Sequence, residues 1–263
     1  MAHDILRRLI GNSLTALDDG TYDLAGRYDL QGSGRDLAGE IDTAARHAAV
    51  ISKIKFSSPS EGRLRTTSDP ATIATDMIRG GARGLSVLTQ PHLFGGSPDY
   101  FARVRQAVDA PMLMKDVIVD TRQIDAAAHI GADYVLLIQA VFESGLLQDG
   151  SPDRFISHAH KRGLGVLLEV HTAPEYRRAQ DTRADMIGIN NRNLDTLAID
   201  MNVTCAILAE CGKDRTVVSE SGITSPEDVI RMRGCGADGL LIGSSIMKSG
   251  NIEQAVRRMV SAH

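Results

Sequence analysis

The chain has no tryptophan and few other aromatic residues: Phe, Tyr and Trp make up 4% of its 263 residues. This scarcity argues against the aromatic platforms that stack on single-stranded nucleic acid or sugars. A formal net charge of −4 gives no support for a broad nucleic-acid surface. No apolar run is long enough to span a bilayer, and the N-terminal residues lack the apolar core of a signal peptide. We therefore expect neither a nucleic-acid partner nor a membrane.

Cysteine is also scarce. The three cysteines, Cys205, Cys211 and Cys235, cannot all pair with one another, and none belongs to a CxxC motif. This usage argues against a zinc ribbon and favours a reducing compartment, so we expect a cytoplasmic protein. A chain of this length can also build its own hydrophobic core without disulfide or metal staples.

Eight short apolar runs recur along the chain, each bounded by turn or polar residues. They are Ala49–Lys55, Leu85–Thr89, Met112–Lys115, Tyr134–Ile138, Val166–Val170, Met186–Asn190, Thr216–Glu220 and Gly239–Gly243. Their nearly continuous apolar interiors are typical of strands buried on both faces of a parallel sheet. Each run is too short for a typical helix, so the pattern predicts eight β-strands.

Helical spacing fills the segments between these strands. Several segments begin with a capping side chain just before a proline and several end in glycine, as helices commonly do. The starts are Asp69, Ser97, Ser151, Thr172 and Ser225, and the ends are Gly80-Gly81, Gly131, Gly163 and Gly236. Eightfold strand–helix alternation predicts an α/β protein with the (β/α)8 TIM-barrel fold. An open doubly wound sheet is the alternative, but no GxGxxG follows the first strand.

The first residues of the chain differ from the rest, because glycines interrupt them and only Asp4–Ile10 and Asp36–Arg46 look helical. We expect residues 1–47 to form an N-terminal helical extension that packs on a barrel of residues 48–263. The chain would then hold a single catalytic unit.

Charged residues gather where the predicted strands end, which is where TIM barrels place their chemistry. Lys53 and Lys55 share one face of the first strand because residues two apart point the same way. Lys115 and Glu220 end two other strands, and Glu169 is the penultimate residue of the Val166–Val170 run. A single strand-end lysine is as readily a solvated side chain or a structural ion pair. Three lysines and two glutamates around one mouth would instead shift each other's pKa values, which suits acid–base catalysis.

Small residues follow the last two strands, at Ser221-Gly222 and Gly243-Ser244. The loops after strands 7 and 8 are the usual phosphate site of this fold. Glycine allows an anion to approach the backbone closely, and backbone N–H groups there can bind it. Either motif alone is weak, but together they favour a phosphate site.

Eight ordered segments resemble the indole-3-glycerol-phosphate synthase family of tryptophan biosynthesis, over a region from about Ile51 to the C-terminus. They are IKFSSPSEG (54–62), LSVLTQPHLFGGS (85–97), PMLMKDVIVDTRQI (111–124), GADYVLLI (131–138), LLEVH (167–171), IGINNRNL (187–194), ESGI (220–223) and LIGSSIM (241–247). The resemblance implies a carbon–carbon lyase, a carboxy-lyase that closes an indole ring on an anilino-deoxyribulose phosphate. It also implies that no cofactor or metal takes part, and it allows association with other enzymes of the pathway.

The resemblance also implies roles for individual residues. Lys115 matches the general acid that protonates the substrate carbonyl, and Glu169 matches the carboxylate that assists the later dehydration. Lys55 matches the lysine that holds the substrate carboxylate. Further matches are Asn190 in the catalytic set; Ser58, Phe94, Arg192, Glu220 and Ser221 in substrate binding; and Gly222, Gly243 and Ser244, with Ser58, in the phosphate clamp.

Lys53 departs from the family pattern, which normally has a glutamate at this position. With lysine, three cations face two carboxylates, and the local charge balance becomes positive. A like charge about 6 Å away costs roughly 3 kcal/mol at an effective dielectric near 20, so we predict a lowered lysine pKa. The substitution leaves open an enzyme with impaired or rewired chemistry, an altered substrate, a silent paralogue or a deliberately altered sequence. A second departure, Gln90 in place of a common glutamate, should matter less.

Two other functions remain open at this point. An aldose–ketose isomerase on the same scaffold would need a different acid–base pair than Lys53 and Glu220 supply. The other is a non-catalytic barrel that keeps only the phosphate clamp. The feature that separates it from the lyase is position 53, where this chain has lysine in place of the family's glutamate.

Overall fold

Eight parallel strands form a closed barrel in the computed structural model, which describes residues 4–44, 47–58, 62–63, 69–147 and 151–262. The strands are β1 (Ala49–Ile54), β2 (Gly84–Leu88), β3 (Met112–Lys115), β4 (Tyr134–Ile138), β5 (Gly165–Val170), β6 (Met186–Asn190), β7 (Val217–Glu220) and β8 (Gly239–Ile242). Each lies within one residue of its predicted bounds at both ends. The TIM-barrel prediction is confirmed.

The barrel closes between its first and last strands, since Ser52 of β1 pairs with Ile242 of β8. Every other strand pairs in parallel with its neighbours in chain order. An open doubly wound sheet is thereby ruled out. Because all eight strands run the same way, their carboxyl ends meet on one face of the barrel.

The helices pack around this barrel and connect its strands. They are α1 (Asp4–Asp18), α2 (Leu37–Asp42), α3 (Pro70–Arg79), α4 (Pro91–Phe94), α5 (Pro98–Ala107), α6 (Thr121–His129), α7 (Gln139–Glu143), α8 (Asp153–Lys161), α9 (Ala173–Gln180), α10 (Asn202–Cys211), α11 (Pro226–Gly234), α12 (Ser244–Met247) and α13 (Ile252–Val260). A two-stranded hairpin, Ser57–Ser58 with Gly62–Arg63, follows β1.

Four of the five predicted helix starts cap their helices as expected: Asp69, Ser97, Thr172 and Ser225 each accept a backbone N–H bond. The fifth is wrong by one residue, because Pro152 occupies the N-cap position of α8 and has no side chain able to cap it. Ser151 instead accepts a bond from the backbone N–H of Asp153.

The segment before the barrel holds two helices whose lengths differ from the predicted ones. Helix α1 continues to Asp18, beyond the predicted end at Ile10, and buries Leu6, Leu9 and Leu17. Helix α2 ends at Asp42, and residues 45–46 of its predicted end lie outside the described ranges. The division of the chain at residue 47 stays a prediction.

A disulfide joins Cys205 of α10 to Cys235, the C-cap of α11, while Cys211 is free. The sequence did not predict this pairing, because cysteine spacing says nothing about which helices are neighbours. The two helices follow β6 and β7, which are adjacent in the barrel. In the part of the chain that the structure describes, no helix is long and apolar enough to cross a membrane.

Candidate active site

A cavity opens at the carboxyl ends of the strands and collects most of the predicted site residues. Its wall includes Lys53, Lys55, Phe94, Lys115, Glu169, Asn190, Arg192, Ser221, Gly222, Gly243 and Ser244. Glu220 is fully buried behind this wall and contacts it through Lys115. The side chain of Ser58 lies outside the described residues. Apolar residues Ile5 and Leu9 of α1 also line the cavity, so the segment before β1 forms part of the pocket.

Lys115, the last residue of β3, is the centre of the charged cluster. Its Nζ lies 2.9 Å from Glu169 Oε2 and 2.9 Å from Glu220 Oε2. Burial alone would lower the pKa of Lys115, but the two carboxylates outweigh it and raise that pKa above its ordinary value. The side chain is therefore a fixed cation that reaches into the cavity.

The two carboxylates beside Lys115 differ in their surroundings. Burial would raise the pKa of Glu169, but the charge of Lys115 and the contact with His171 hold it well below its usual range. Burial dominates at Glu220 and raises its pKa. Glu169 is thus a permanent carboxylate on the cavity wall, whereas Glu220 ionises less readily.

Asn190 orients Glu169 from the end of β6. Its Nδ2 donates to Glu169 Oε1 at 2.9 Å, and its Oδ1 accepts from the backbone N–H of Arg192 at 3.0 Å. The Arg192 guanidinium in turn donates to the Leu197 carbonyl at 2.8 Å. These bonds fix the rotamer of Asn190 and, through it, one face of the Glu169 carboxylate.

Lys53 lies on the same cavity wall as Lys55, as the two-residue spacing on β1 predicts. Burial, together with the charges of Lys115 and Lys55, lowers the pKa of Lys53 to about 7. Its stem packs against Gly243 of the neighbouring strand end, where an added Cβ would come within 2.7 Å of Lys53 Cε. The predicted direction of the pKa shift is thus the one found, with burial as the larger cause.

His171, which ends the LLEVH segment, is a partner of Glu169 that the sequence does not identify as a site residue. Its Nε2 lies 3.3 Å from Glu169 Oε1, and its Nδ1 lies 3.5 Å from Glu175 Oε2. Burial lowers the pKa of His171, but the two carboxylates raise it to about 9. An imidazolium therefore sits behind Glu169. The sequence signal for this pair is a histidine two residues after a glutamate near the end of a strand.

Asp116, next to Lys115, connects the cavity to the segment before the barrel. It accepts hydrogen bonds from Tyr22 Oη at 2.7 Å, from the Thr89 hydroxyl and from the backbone N–H of Val117. Burial raises its pKa to about 6 despite these bonds. Tyr22 belongs to the segment before β1, so no local sequence pattern could reveal this pair.

The loop after β7 is held in an unusual backbone shape. Ser221 and Gly222 both have positive φ, at 68° and 89°. The Asn191 amide donates to the Ser221 carbonyl and to Ser219 Oγ, both at 3.1 Å, and its oxygen accepts from Thr204 of α10. This buried network keeps the loop in a conformation that costs strain for serine, and both Ser221 and Gly222 line the cavity.

The closed barrel, with a cluster of charged residues at its strand ends and glycine loops after β7 and β8, places the chain in the class of TIM-barrel enzymes. Comparison with known proteins identifies the family: the model of "Indole-3-glycerol phosphate synthase" matches residues 12–259, and the chain belongs to that family. A protein of this name from Halobacterium salinarum is 42% identical over 88% of each chain. Another, from Kineococcus radiotolerans, is 40% identical over 95% of this chain and 89% of its own.

Solved structures with the same architecture are much more distant in sequence. Thiamine phosphate pyrophosphorylase from Pyrococcus furiosus superposes with a TM-score of 0.61 at 16% identity, covering 85% of this chain and 96% of its own. The N-acetylmannosamine-6-phosphate 2-epimerase from Clostridium perfringens gives 0.58 at 12% identity, covering 78% and 89%. At these identities the likeness supports the barrel fold alone.

Proposed function

We propose that the chain converts 1-(2-carboxyphenylamino)-1-deoxyribulose 5-phosphate to indole-3-glycerol phosphate, with loss of CO2 and water. Family membership over nearly the whole chain supports this carboxy-lyase activity. The observation that carries it is the placement of Lys115 between Glu169 and Glu220 at the cavity wall. A fixed cation beside two carboxylates suits a reaction in which a carbonyl oxygen gains charge and a proton must later leave.

In this reaction Lys115 is the general acid that meets the substrate carbonyl oxygen. The aryl carbon bearing the carboxylate attacks the carbonyl carbon, and Lys115 stabilises the oxygen as charge develops on it. Loss of CO2 restores the aromatic ring. The former carbonyl oxygen, now a hydroxyl, takes a second proton and leaves as water, while Glu169, held in its ionised form, accepts the proton of the adjacent ring carbon as the indole double bond forms.

The remaining proposed contacts hold the substrate. Lys55 and Arg192 provide positive charge for the carboxylate and hydroxyl groups, Phe94 packs on the aryl ring, and Asn190 orients Glu169. Glu220 and Ser221 lie beside this set. The proposed phosphate clamp consists of Ser58, Gly222, Gly243 and Ser244. No cofactor is required, because every proton has a side chain to carry it.

Indole fluorescence tests this proposal directly. The chain lacks tryptophan, so the product can be read against a low protein background. We expect the purified protein to generate indole fluorescence from the anilino-deoxyribulose phosphate. A protein that binds inorganic phosphate but forms no indole would instead indicate the non-catalytic binding barrel.

The phosphate clamp gives a binding prediction. We expect Gly243→Asp to abolish the thermal stabilisation that inorganic phosphate gives the wild type, because a carboxylate would repel the anion and crowd Lys53. The matched control is Gly250→Asp, at an exposed glycine where an added Cβ meets nothing within 4 Å. Equal phosphate stabilisation in both variants would remove Gly243 from the clamp.

His171 gives a pH prediction. The ionisable side chains that influence Glu169 are Lys115, His171, Lys53 and Glu220. In His171→Asn one of the cations is lost, so the Glu169 pKa should rise. The acidic limb of the kcat/KM profile is expected to move upward by about one pH unit.

The matched control for this prediction is His158→Asn. His158 pairs with Asp125 between α8 and α6, away from the cavity, so its loss should leave the acidic limb in place. An acidic limb that does not move in His171→Asn would show that His171 has only a packing role.

The cellular setting of the protein remains a prediction. A cytoplasmic location and association with other enzymes of tryptophan biosynthesis fit a biosynthetic lyase. Co-purification of the endogenous protein from a soluble extract would test both.

A further inference from the structure

Lys53 occupies a position unlike those of the other lysines of the cavity. Lys115 is clamped by two carboxylates at 2.9 Å. Within the residues that the structure describes, Lys53 makes no ion pair and donates no hydrogen bond. In that described part of the chain no carboxylate contacts the amine directly, although the charges of Glu220 and Glu169 favour its protonated form from farther away. Such an amine is available to a ligand in a way that the Lys115 amine is not.

The surroundings of Lys53 favour its uncharged form. It is largely buried, it shares the cavity with two other lysines, and its pKa is lowered to about 7. A large fraction of the side chain is then a free amine at neutral pH. A desolvated lysine next to other cations is the standard environment for an amine nucleophile.

The location of Lys53 sets which ligand atom it can meet. Its stem lies on Gly243, at the end of β8 beside the proposed phosphate loop, and its charge is coupled to that of Lys115. A sugar phosphate bound with its phosphate at Gly243 and its carbonyl oxygen at Lys115 would run its short carbon chain past the Lys53 amine.

We propose that Lys53 is a covalent catalyst that forms an imine with the ketone carbon of the substrate. This inference rests on the proposed function, which supplies the ketose phosphate. It gives the departure from the family's glutamate a chemical role, because a neutral amine can do what a carboxylate cannot: bond to the carbonyl carbon.

In this proposal, attack on the iminium carbon replaces the direct attack on the ketone described above, and the steps need no oxidant or reductant. Lys53 Nζ bonds to the ketone carbon, and the oxygen leaves as water with a proton from Lys115. The aryl carbon adds to the iminium carbon, whose π electrons return to nitrogen, and CO2 leaves. Finally the Lys53 nitrogen takes a proton from solvent water and Glu169 takes a proton from the adjacent carbon. The carbon–nitrogen bond then breaks, Lys53 leaves as a neutral amine, and the proton on Glu169 returns to Lys115. The net loss is still one CO2 and one water.

Borohydride trapping tests the imine. The wild-type protein is incubated with 1-(2-carboxyphenylamino)-1-deoxyribulose 5-phosphate and sodium borohydride, and its intact mass and peptide map are measured. We expect one adduct per chain, equal to the substrate mass minus one oxygen atom, on the peptide that contains Lys53. Its yield should rise as pH increases through about 7, as the amine loses its proton.

Two variants complete the experiment. Lys53→Arg keeps the positive charge but cannot form an imine, so it should give no adduct and show at least a tenfold loss of kcat. Lys213→Arg, at an exposed ion pair with Asp238, should trap like the wild type. Thermal melting of each variant confirms that it is folded.

The possible results distinguish a failure of the imine proposal from a failure of the proposed lyase activity. Indole formation without any trapped adduct, or an adduct on Lys55 or Lys115 instead, would overturn the covalent step and leave the lyase proposal standing. An adduct on Lys53 without indole formation would support the covalent step and overturn the lyase proposal. Full activity in Lys53→Arg would also overturn the covalent step.

Discussion

Replacing Lys115 by methionine is expected to lower kcat for indole-3-glycerol phosphate formation by at least about 100-fold. Methionine has a similar length but offers neither a proton nor a charge to the substrate oxygen. The variant also leaves Glu169 and Glu220 buried without their shared cation. We therefore expect these carboxylates to take up protons and the protein to lose stability as well.

Lys115→Arg separates catalysis from stability. Arginine keeps a cation between the two carboxylates, so thermal stability should recover, but its longer, planar guanidinium cannot place an N–H donor where the compact Lys115 ammonium lies. Turnover should remain low in this variant. If Lys115→Met were folded and retained wild-type kcat, Lys115 would not be the general acid. Recovery of turnover together with stability in Lys115→Arg would assign Lys115 an electrostatic role only.

Glu169→Gln is expected to lower indole formation by about 100-fold or more through a different step. Glutamine keeps the shape of the side chain but cannot accept the proton that leaves when the indole double bond forms. Ring closure and CO2 loss precede that step, so CO2 should appear before indole. Parallel measurement of CO2 release and indole fluorescence would reveal the lag.

Glu175→Gln is the matched control for Glu169→Gln. Glu175 contacts His171 on its far side and does not line the cavity. Its loss should reduce activity far less and produce no lag between CO2 and indole. If CO2 and indole slowed together in Glu169→Gln, Glu169 would act at or before decarboxylation.

The strands and the charged residues at their ends could be predicted from the sequence, because both depend on local sequence patterns. Nearly continuous apolar runs set the strand bounds within a residue, and the two-residue spacing placed Lys53 and Lys55 on one wall. Parallel strand ends share one barrel face, so residues as distant in sequence as Lys115 and Glu220 could be expected to meet. The distance of 2.9 Å between Lys115 Nζ and Glu220 Oε2 agrees with that geometry.

The supporting contacts could not be predicted because they join elements whose relative positions the sequence does not state. Tyr22 reaches Asp116 across 94 positions, and Cys205 bonds to Cys235 because α10 and α11 are neighbours. His171 ends the LLEVH segment, but only the fold shows that it lies between Glu169 and Glu175. The end of α1 was missed because the late residues Ala16 and Leu17 are buried in the hydrophobic core, and such tertiary packing stabilises a helix beyond what its local pattern predicts.

The most direct test of the proposed lyase activity is to measure both products formed from one substrate. The wild-type protein is given the anilino-deoxyribulose phosphate labelled at its aryl carboxyl carbon, and labelled CO2 and indole fluorescence are measured together. The proposed lyase activity predicts equal amounts of labelled CO2 and indole-3-glycerol phosphate, formed without a lag. Retention of the label in a rearranged sugar phosphate, or no reaction at saturating substrate, would contradict it.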